Sequence, residues 1–392
     1  MRLHEQVRTD NDELECDAVH RKIRFLSGGP GSGKTLCTMK AVQFLLHEGL
    51  SVVYATPTGK LATTCPAADR LLATTVHRAF GITLGDAAEW GSDTIFEYGA
   101  WIIDELCMIS QRHFAFIVHT WNTGGRRSLL IFVGDFKQLP PVTKGRAEIA
   151  DAQTSRHWRG LVLAHDLGSA VSFRTTDSRL LHFQCLVRDQ QPDDQQVTQF
   201  VNDILLGEEL SGACLERLWK ELPRAVVLTA TQAAGAFVNN WANSHFGRER
   251  LGHVDVWGHN DTPPVPLLPF RGTTVALTST LDFQAGLVNG LEGKVLGVSP
   301  AGVELVLGTG EVTAIWRACR ENVTPHKRHA YPIRLAYANT VHQFEGQSVE
   351  QTCICFESFA PPGWAYTAVT RARSFAGLRA IGSPTASHFR PR

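Results

Sequence analysis

Short runs of apolar, β-branched residues recur along the chain, bounded by polar or glycine-rich stretches, and helical spacings fall between them. This alternation predicts strands over 23–26, 51–55, 101–103 and 129–133, and a second series over 225–228, 274–277 and 334–338. The runs are apolar throughout rather than alternating in polarity, which fits parallel sheets covered on both faces. Between the first two strands, Leu36 to His47 keeps a helical apolar spacing and stops ahead of Gly49, a residue suited to a left-handed C-cap. The polar stretch 189–196 reads as a surface turn or helix connection. The series breaks near residue 170, so two α/β lobes over 1–170 and 171–392 are expected. From Gly290 the texture changes. Residues 293–316 read as short strands with glycine turns, either a small β insertion over 286–330 or a hairpin extension of the same sheet.

At roughly 150 residues per domain, 392 residues hold two or three domains. Hydrophobic residues at 43% and charged residues at 19% exclude a disordered tail protein. Lys+Arg 38 balances Asp+Glu 38, so any basic groove for a polyanion must be local. No apolar run approaches the roughly 18 residues that span a bilayer, and the amino-terminal stretch is too charged for a secretory signal. Nine cysteines, an odd number in a long chain, fit free thiols in a reducing intracellular compartment. Nucleus, mitochondrion, bacterial cytoplasm and virus stay open. Cys353 and Cys355 lack a second pair at zinc-ribbon spacing, so no structural zinc is expected.

The chemistry is concentrated in three places. Gly28, Gly29, Pro30, Gly31, Ser32, Gly33, Lys34 and Thr35 fit G-x-x-x-x-G-K-[ST] between a predicted strand and a predicted helix, where backbone N–H groups can cradle phosphate oxygens. Lys34 would reach the β- and γ-phosphates of ATP, and Thr35 would ligate Mg²⁺. The apolar strand before Asp104 and Glu105 supplies a second Mg²⁺ anchor in Asp104 and a general base in Glu105. A third strand ends at Gly134, Asp135, Phe136, Lys137 and Gln138, where an amide can sense the γ-phosphate while Pro140 and Pro141 stiffen the chain beyond it.

Taken together, these segments resemble superfamily-one DNA helicases of the petite integration frequency (Pif) and RecD type, in the family's order and over most of the chain. The stretch from Gly134 to Val142 is the most diagnostic. The resemblance implies two RecA-like P-loop lobes with parallel sheets, and an SH3-like β insertion in the second lobe, approached through Val288, Asn289, Gly290 and Gly293. It implies Gln6 as the adenine reader. Pro57, Thr58 and Gly59, together with His77 and Phe80, would contact a nucleic-acid strand in the first lobe, and Thr340 and His342 in the second. Arg174, after Ser172 and Phe173, and Arg371 would be arginine fingers brought by the second lobe to ATP held in the cleft. Glu345 departs from the family, which usually carries Gln there, and a carboxylate would repel a phosphate backbone.

The implied activity is an ATP-dependent DNA helicase or translocase, a monomer moving 5′ to 3′ on single-stranded DNA and acting at duplex junctions. The alternatives are a viral-type RNA helicase, a P-loop kinase with a single α/β domain and a lid, an ATP-binding regulatory protein that clamps nucleic acid without turnover, and a nucleic-acid-dependent ATPase that does not unwind. The stretch 371–392 holds several arginines and no acid, and reads as either an extension of a basic track or a frayed tail.

Overall fold

The computed structural model describes residues 23–82, 93–125, 128–141, 151–158, 163–168, 172–247, 250–257, 265–319 and 329–392. By contacts the chain divides into two compact units: Met1–Gln191 together with Arg390–Arg392, and Pro192–Phe389.

The first unit is a parallel sheet built from β1 (Ile23–Ser27), β2 (Val52–Thr56), β3 (Leu71–Thr75), β4 (Ala100–Ile103), β5 (Leu129–Gly134) and β6 (Leu163–Asp166), in the order β3-β2-β4-β5-β1-β6. Helices α1 (Lys34–His47), α2 (Gly59–Ala62), α3 (Val76–Ala79), α4 (Gln111–Thr120) and α5 (Ser178–Asp189) belong to the same unit. The central strands bury both faces. Val53, Ala55, Trp101, Ile103 and Phe132 enter one apolar cluster, while Val52, Tyr54, Ala100, Ile102 and Val133 enter another with Val42 and Leu45 of α1. The period of two along a strand sends alternate residues to opposite layers, which is why the strands read as unbroken apolar runs. Helix α1 ends as its sequence foretells: Gly49 takes φ 81°, its N–H donates to Leu46 O at 3.0 Å, and Leu50 N–H to Leu45 O at 3.0 Å.

The second unit contains α6 (Asp194–Val201), β7 (Leu205–Gly207), α7 (Gly212–Glu221), β8 (Val226–Thr229) and α8 (Gln232–Phe246) before its β-rich part. That part comprises β9 (Val254–Val256), β10 (Val265–Leu267), β11 (Thr274–Leu277), β12 (Glu292–Ser299), β13 (Gly302–Leu307), β14 (Val312–Ile315), β15 (Ala318–Cys319), β16 (His329–Ala330) and β17 (Ile333–Leu335). The chain then forms β18 (Ala338–Thr340), β19 (Thr352–Phe356), α9 (Trp364–Val369) and β20 (Leu378–Gly382). A parallel sheet runs β18-β8-β19-β20-β7, and an antiparallel sheet runs β14-β13-β12-β11-β17 with its own core of Val275, Leu277, Val295, Val303, Leu305 and Ile333.

Three boundaries differ from the expectation. The first unit continues to Gln191 rather than ending at 170, because Phe173 N–H donates to Gly31 O at 2.7 Å and Arg188 of α5 approaches Asp135 at 3.9 Å. The antiparallel unit exceeds 286–330, since β11 and β17 are part of it, and β11 therefore does not join the parallel series. The predicted strand over 334–338 is two strands. Leu335 pairs with Val275 in the antiparallel sheet, and Ala338 pairs with Val227 in the parallel one. A short apolar run fixes the extended conformation but not the partner.

Candidate nucleotide and nucleic-acid site

In the first unit, parallel register brings the carboxyl ends of β4, β5 and β1 side by side, and the three signature turns leave from that edge. After β1, Gly33 caps α1 with φ 93° and ψ 12° and offers no side-chain acceptor to the first helical amides. Gly31 takes φ 78°, and a Cβ there would lie 2.8 Å from Arg174 Cβ; one on Gly33 would meet the Phe173 ring at 3.2 Å. Only glycine accepts both the left-handed backbone and the close approach. Lys34 is buried, its Nζ donating to Gly28 O at 2.7 Å and Gly29 O at 3.1 Å. Ser32 Oγ is buried without a hydrogen-bond partner. A glycine cradle with an uncapped helix start, a lysine and an orphaned hydroxyl fits a phosphate group.

After β4, Asp104 is 5% exposed; its Oδ1 accepts from Glu105 N–H at 2.8 Å and its Oδ2 from the Tyr54 hydroxyl at 2.6 Å. Burial, and next the charge of Glu105, push the Asp104 carboxyl up to about 6, against the Tyr54 and Glu105 hydrogen bonds and the Lys34 ammonium. Burial and the same carboxylate raise the Tyr54 phenol. Glu105 adopts φ 51°, a left-handed conformation that costs a non-glycine residue about 1–3 kcal/mol and re-aims its side chain out of the strand direction. Cys107 Sγ lies 3.7 Å from Glu105 Oε2. Gly134 at the end of β5 lets this turn pack, since a Cβ there would stand 3.2 Å from Leu106 N. Beyond it Asp135 is buried, accepting from Lys137 N–H at 3.1 Å, and buried Gln138 donates its backbone N–H to Asp135 O at 3.0 Å. Gln138 O accepts from Arg392, which also pairs with Asp151, so in this structure the terminal arginine is docked rather than frayed. Thr35, exposed in the first turn of α1, and Asp104 offer hard oxygen donors of the kind Mg²⁺ takes.

Arg174 needs correction. It is half-buried beside Gly31 within the first unit, not on the second, because the 172–174 segment is bonded to the loop after β1. Arg371 does belong to the second unit. It is 1% exposed, its Nε donating to Thr367 O at 2.9 Å, one terminal nitrogen to Gln347 O at 3.1 Å and the other to Thr370 Oγ1 at 2.9 Å. These bonds pre-orient the guanidinium fork.

The strand-contacting candidates divide. Pro57 and Thr58 are half-buried after β2, Gly59 is buried at the start of α2, and Thr56 Oγ1 donates to Thr58 O at 2.8 Å. His77 is half-buried on α3, its ring edge-on to His113 at 5.1 Å. Burial lowers the His77 imidazole; burial, then His77 and Arg112, lower His113 to about 4. Phe80 is a second correction: at 1% exposure and edge-on to Trp101 at 5.7 Å, it is core and out of reach of a strand. In the second unit, Thr340 ends β18 opposite Thr229 and forms a reciprocal cap with Gln343, with half-buried His342 in the turn it starts. Thr340, Gln343, Asn239, Trp257 and Arg334 help line a cavity of about 300 Å³. Glu345 is 3% exposed, so its carboxylate does not present a charge to solvent. Gln6 and Val142 lie outside the described residues. Cys353 and Cys355 are packed in the sheet core, and burial pushes the Cys355 thiol up to about 12.

Sequence reading missed two neighbours of the site. Tyr54 carried one signal, a phenol in an otherwise aliphatic buried strand, whose hydroxyl must find a partner. Phe173 is 75% exposed at the mouth of the glycine loop, a placement that spacing alone does not reveal.

Residues 13–144 match the family model described as an AAA domain. The chain is 27% identical over 396 residues to the ATP-dependent DNA helicase PIF1 of Danio rerio, covering 91% of this chain and 58% of that protein. It is 25% identical to the ATP-dependent DNA helicase Pif1 of Bdellovibrio bacteriovorus, covering 91% of this chain and 84% of the relative. The chain thus spans less than two thirds of the Danio protein and most of the Bdellovibrio one. Among solved structures, Bacteroides Pif1 bound to ssDNA superposes with a TM-score of 0.71 at 18% identity, covering 97% of this chain and 95% of that one. The Pif1 helicase of Candida albicans gives 0.68 at 19%, covering 97% of each. The fold of two parallel α/β units with an antiparallel β part is therefore shared with these structures. Over about nine tenths of its length the chain is thus similar in sequence to proteins named Pif1 DNA helicases.

Proposed function

We propose that the chain is an ATP-driven DNA helicase or translocase acting on single-stranded DNA and duplex junctions. The carrying observation is that the glycine cradle with Lys34, after β1, and the turn with buried Asp104, after β4, leave the same carboxyl edge of one parallel sheet on either side of β5. In this reading Lys34 exchanges its loop carbonyls for the β- and γ-phosphates, and the open amides of α1 hold the remaining oxygens. Thr35 and Asp104 hold Mg²⁺, which supplies charge neutralisation on the phosphates when bound. Glu105 takes the proton of the attacking water, and Gln138 senses the γ-phosphate. Arg371 and Arg174 offset charge developing in the transition state. Exposed Phe173 covers the mouth of the loop, where its face suits a nucleobase. Strand contact falls to Pro57, Thr58, Gly59 and His77 in the first unit and Thr340 and His342 in the second.

DNA rather than RNA as the strand is supported by relatives named DNA helicases and by a Pif1 structure bound to ssDNA. Action as a monomer inside a reducing compartment belongs to the same proposal. The test is ATP turnover with and without single-stranded DNA or RNA. DNA is expected to stimulate turnover strongly. Stimulation by RNA alone would reassign the strand, and turnover indifferent to both would leave a P-loop enzyme of another kind.

A further inference from the structure

We infer that Tyr54 is a positioning residue: its hydroxyl locks the Asp104 carboxylate in the orientation the nucleotide site uses. The inference rests on the proposed reading of Asp104 as the metal-side acid.

Tyr54 is 2% exposed and packs among Val42, Leu45, Ile102 and Val133. A phenol in such surroundings destabilises the fold unless its O–H is bonded. Strand register supplies the partner. Tyr54 stands opposite Ile102 on β4, and Asp104, two residues further on, shares the face of Ile102. Diagonal neighbours across a sheet lie within the span of a tyrosine side chain. The hydroxyl arrives at 2.6 Å from Oδ2, while Glu105 N–H holds Oδ1 at 2.8 Å. One donor on each oxygen fixes the plane of the carboxylate, because rotation about its terminal torsion would break both bonds. Bonds to an ionised acceptor are the stronger kind, and the one from Tyr54 is buried away from water. Partners of this outer type typically alter metal affinity about 10- to 100-fold when removed.

The rival role is a staple between β2 and β4 that serves only the fold. Binding of a fluorescent ADP analogue to the full chain, titrated with Mg²⁺ and repeated in EDTA, separates the two. Tyr54→Phe is expected to raise the Mg²⁺ needed for half-maximal enhancement of binding about tenfold, with affinity in EDTA unchanged. In an Asp104→Asn background the same substitution should add nothing, since the group it positions is gone. An unchanged Mg²⁺ midpoint in a Tyr54→Phe protein that merely melts earlier would overturn the inference. Should Tyr54→Phe fail to fold under these conditions, its Mg²⁺ midpoint is read in a stabilising osmolyte beside the parent in the same buffer. A raised midpoint there supports the inference, and a parental midpoint overturns it. If Asp104→Asn itself left Mg²⁺ dependence intact, the assignment of Asp104 would fall first, a result distinct from failure at Tyr54.

Discussion

At the scale of single residues, side chains of similar promise in the sequence have opposite fates. Lys34 and Phe80 both lie in signature stretches, yet one amine lines the glycine cradle and one ring fills the core. Lys34→Ala is expected to lower ATP turnover at least about 100-fold, the scale of losing one preorganised charge partner, with the melting temperature little changed. Turnover and thermal unfolding on the same preparation check this. Glu105→Gln should keep nucleotide affinity while losing turnover, because the amide cannot accept the water's proton. Parallel losses in binding and turnover would make Glu105 structural. For Phe80→Ala the expected cost is about 3–5 kcal/mol of stability, with strand affinity of the folded fraction retained. Denaturant unfolding together with a DNA-binding titration decides between core and contact. A motif names the residue types but not which of them face inward. Periodicity over the four residues of α3 is too brief to tell.

At the scale of elements, the contact between α3 and α4 sets a pH response. The His77 and His113 rings meet edge-on, and burial depresses His113 to about 4 from an ordinary value near 6.5. A depressed imidazole is neutral in the fold and binds protons more readily once unfolded. Its contribution to stability is therefore present above about 6.5 and lost as pH falls toward about 4. Melting temperatures across that range should drop less steeply in His113→Gln than in the parent. Equal slopes would show that other groups dominate the acid limb. The four inner strands of the first unit, β1, β2, β4 and β5, were legible because their faces are largely buried, whereas the edge strands β3 and β6 carried no such signal. The antiparallel membership of β11 was not, because an isolated apolar run is the same whichever neighbour it hydrogen-bonds.

At the scale of the whole molecule, the resemblance to Pif and RecD helicases leads to a directional prediction. Unwinding of matched duplexes in ATP and Mg²⁺ is expected on the 5′-overhang substrate, with strand affinity falling as salt rises because phosphate contacts release counterions. Activity only on a 3′ overhang would remove the directional assignment while leaving an ATP-driven helicase in place. The sequence by itself determined whatever is local. A strand, a glycine turn and a helix start are encoded within about ten consecutive residues, so the cradle from Gly28 to Thr35, the Asp104–Glu105 turn and the Gly49 cap could be read directly. Tertiary structure decided the long-range pairings: Tyr54 with Asp104, the 172–174 segment against Gly31, Phe80 against Trp101, and Leu335 with Val275. Each joins residues whose separation along the chain carries no periodic signal. Their meeting follows from strand order and from burial of apolar surface by the whole fold, which no short window of residues contains.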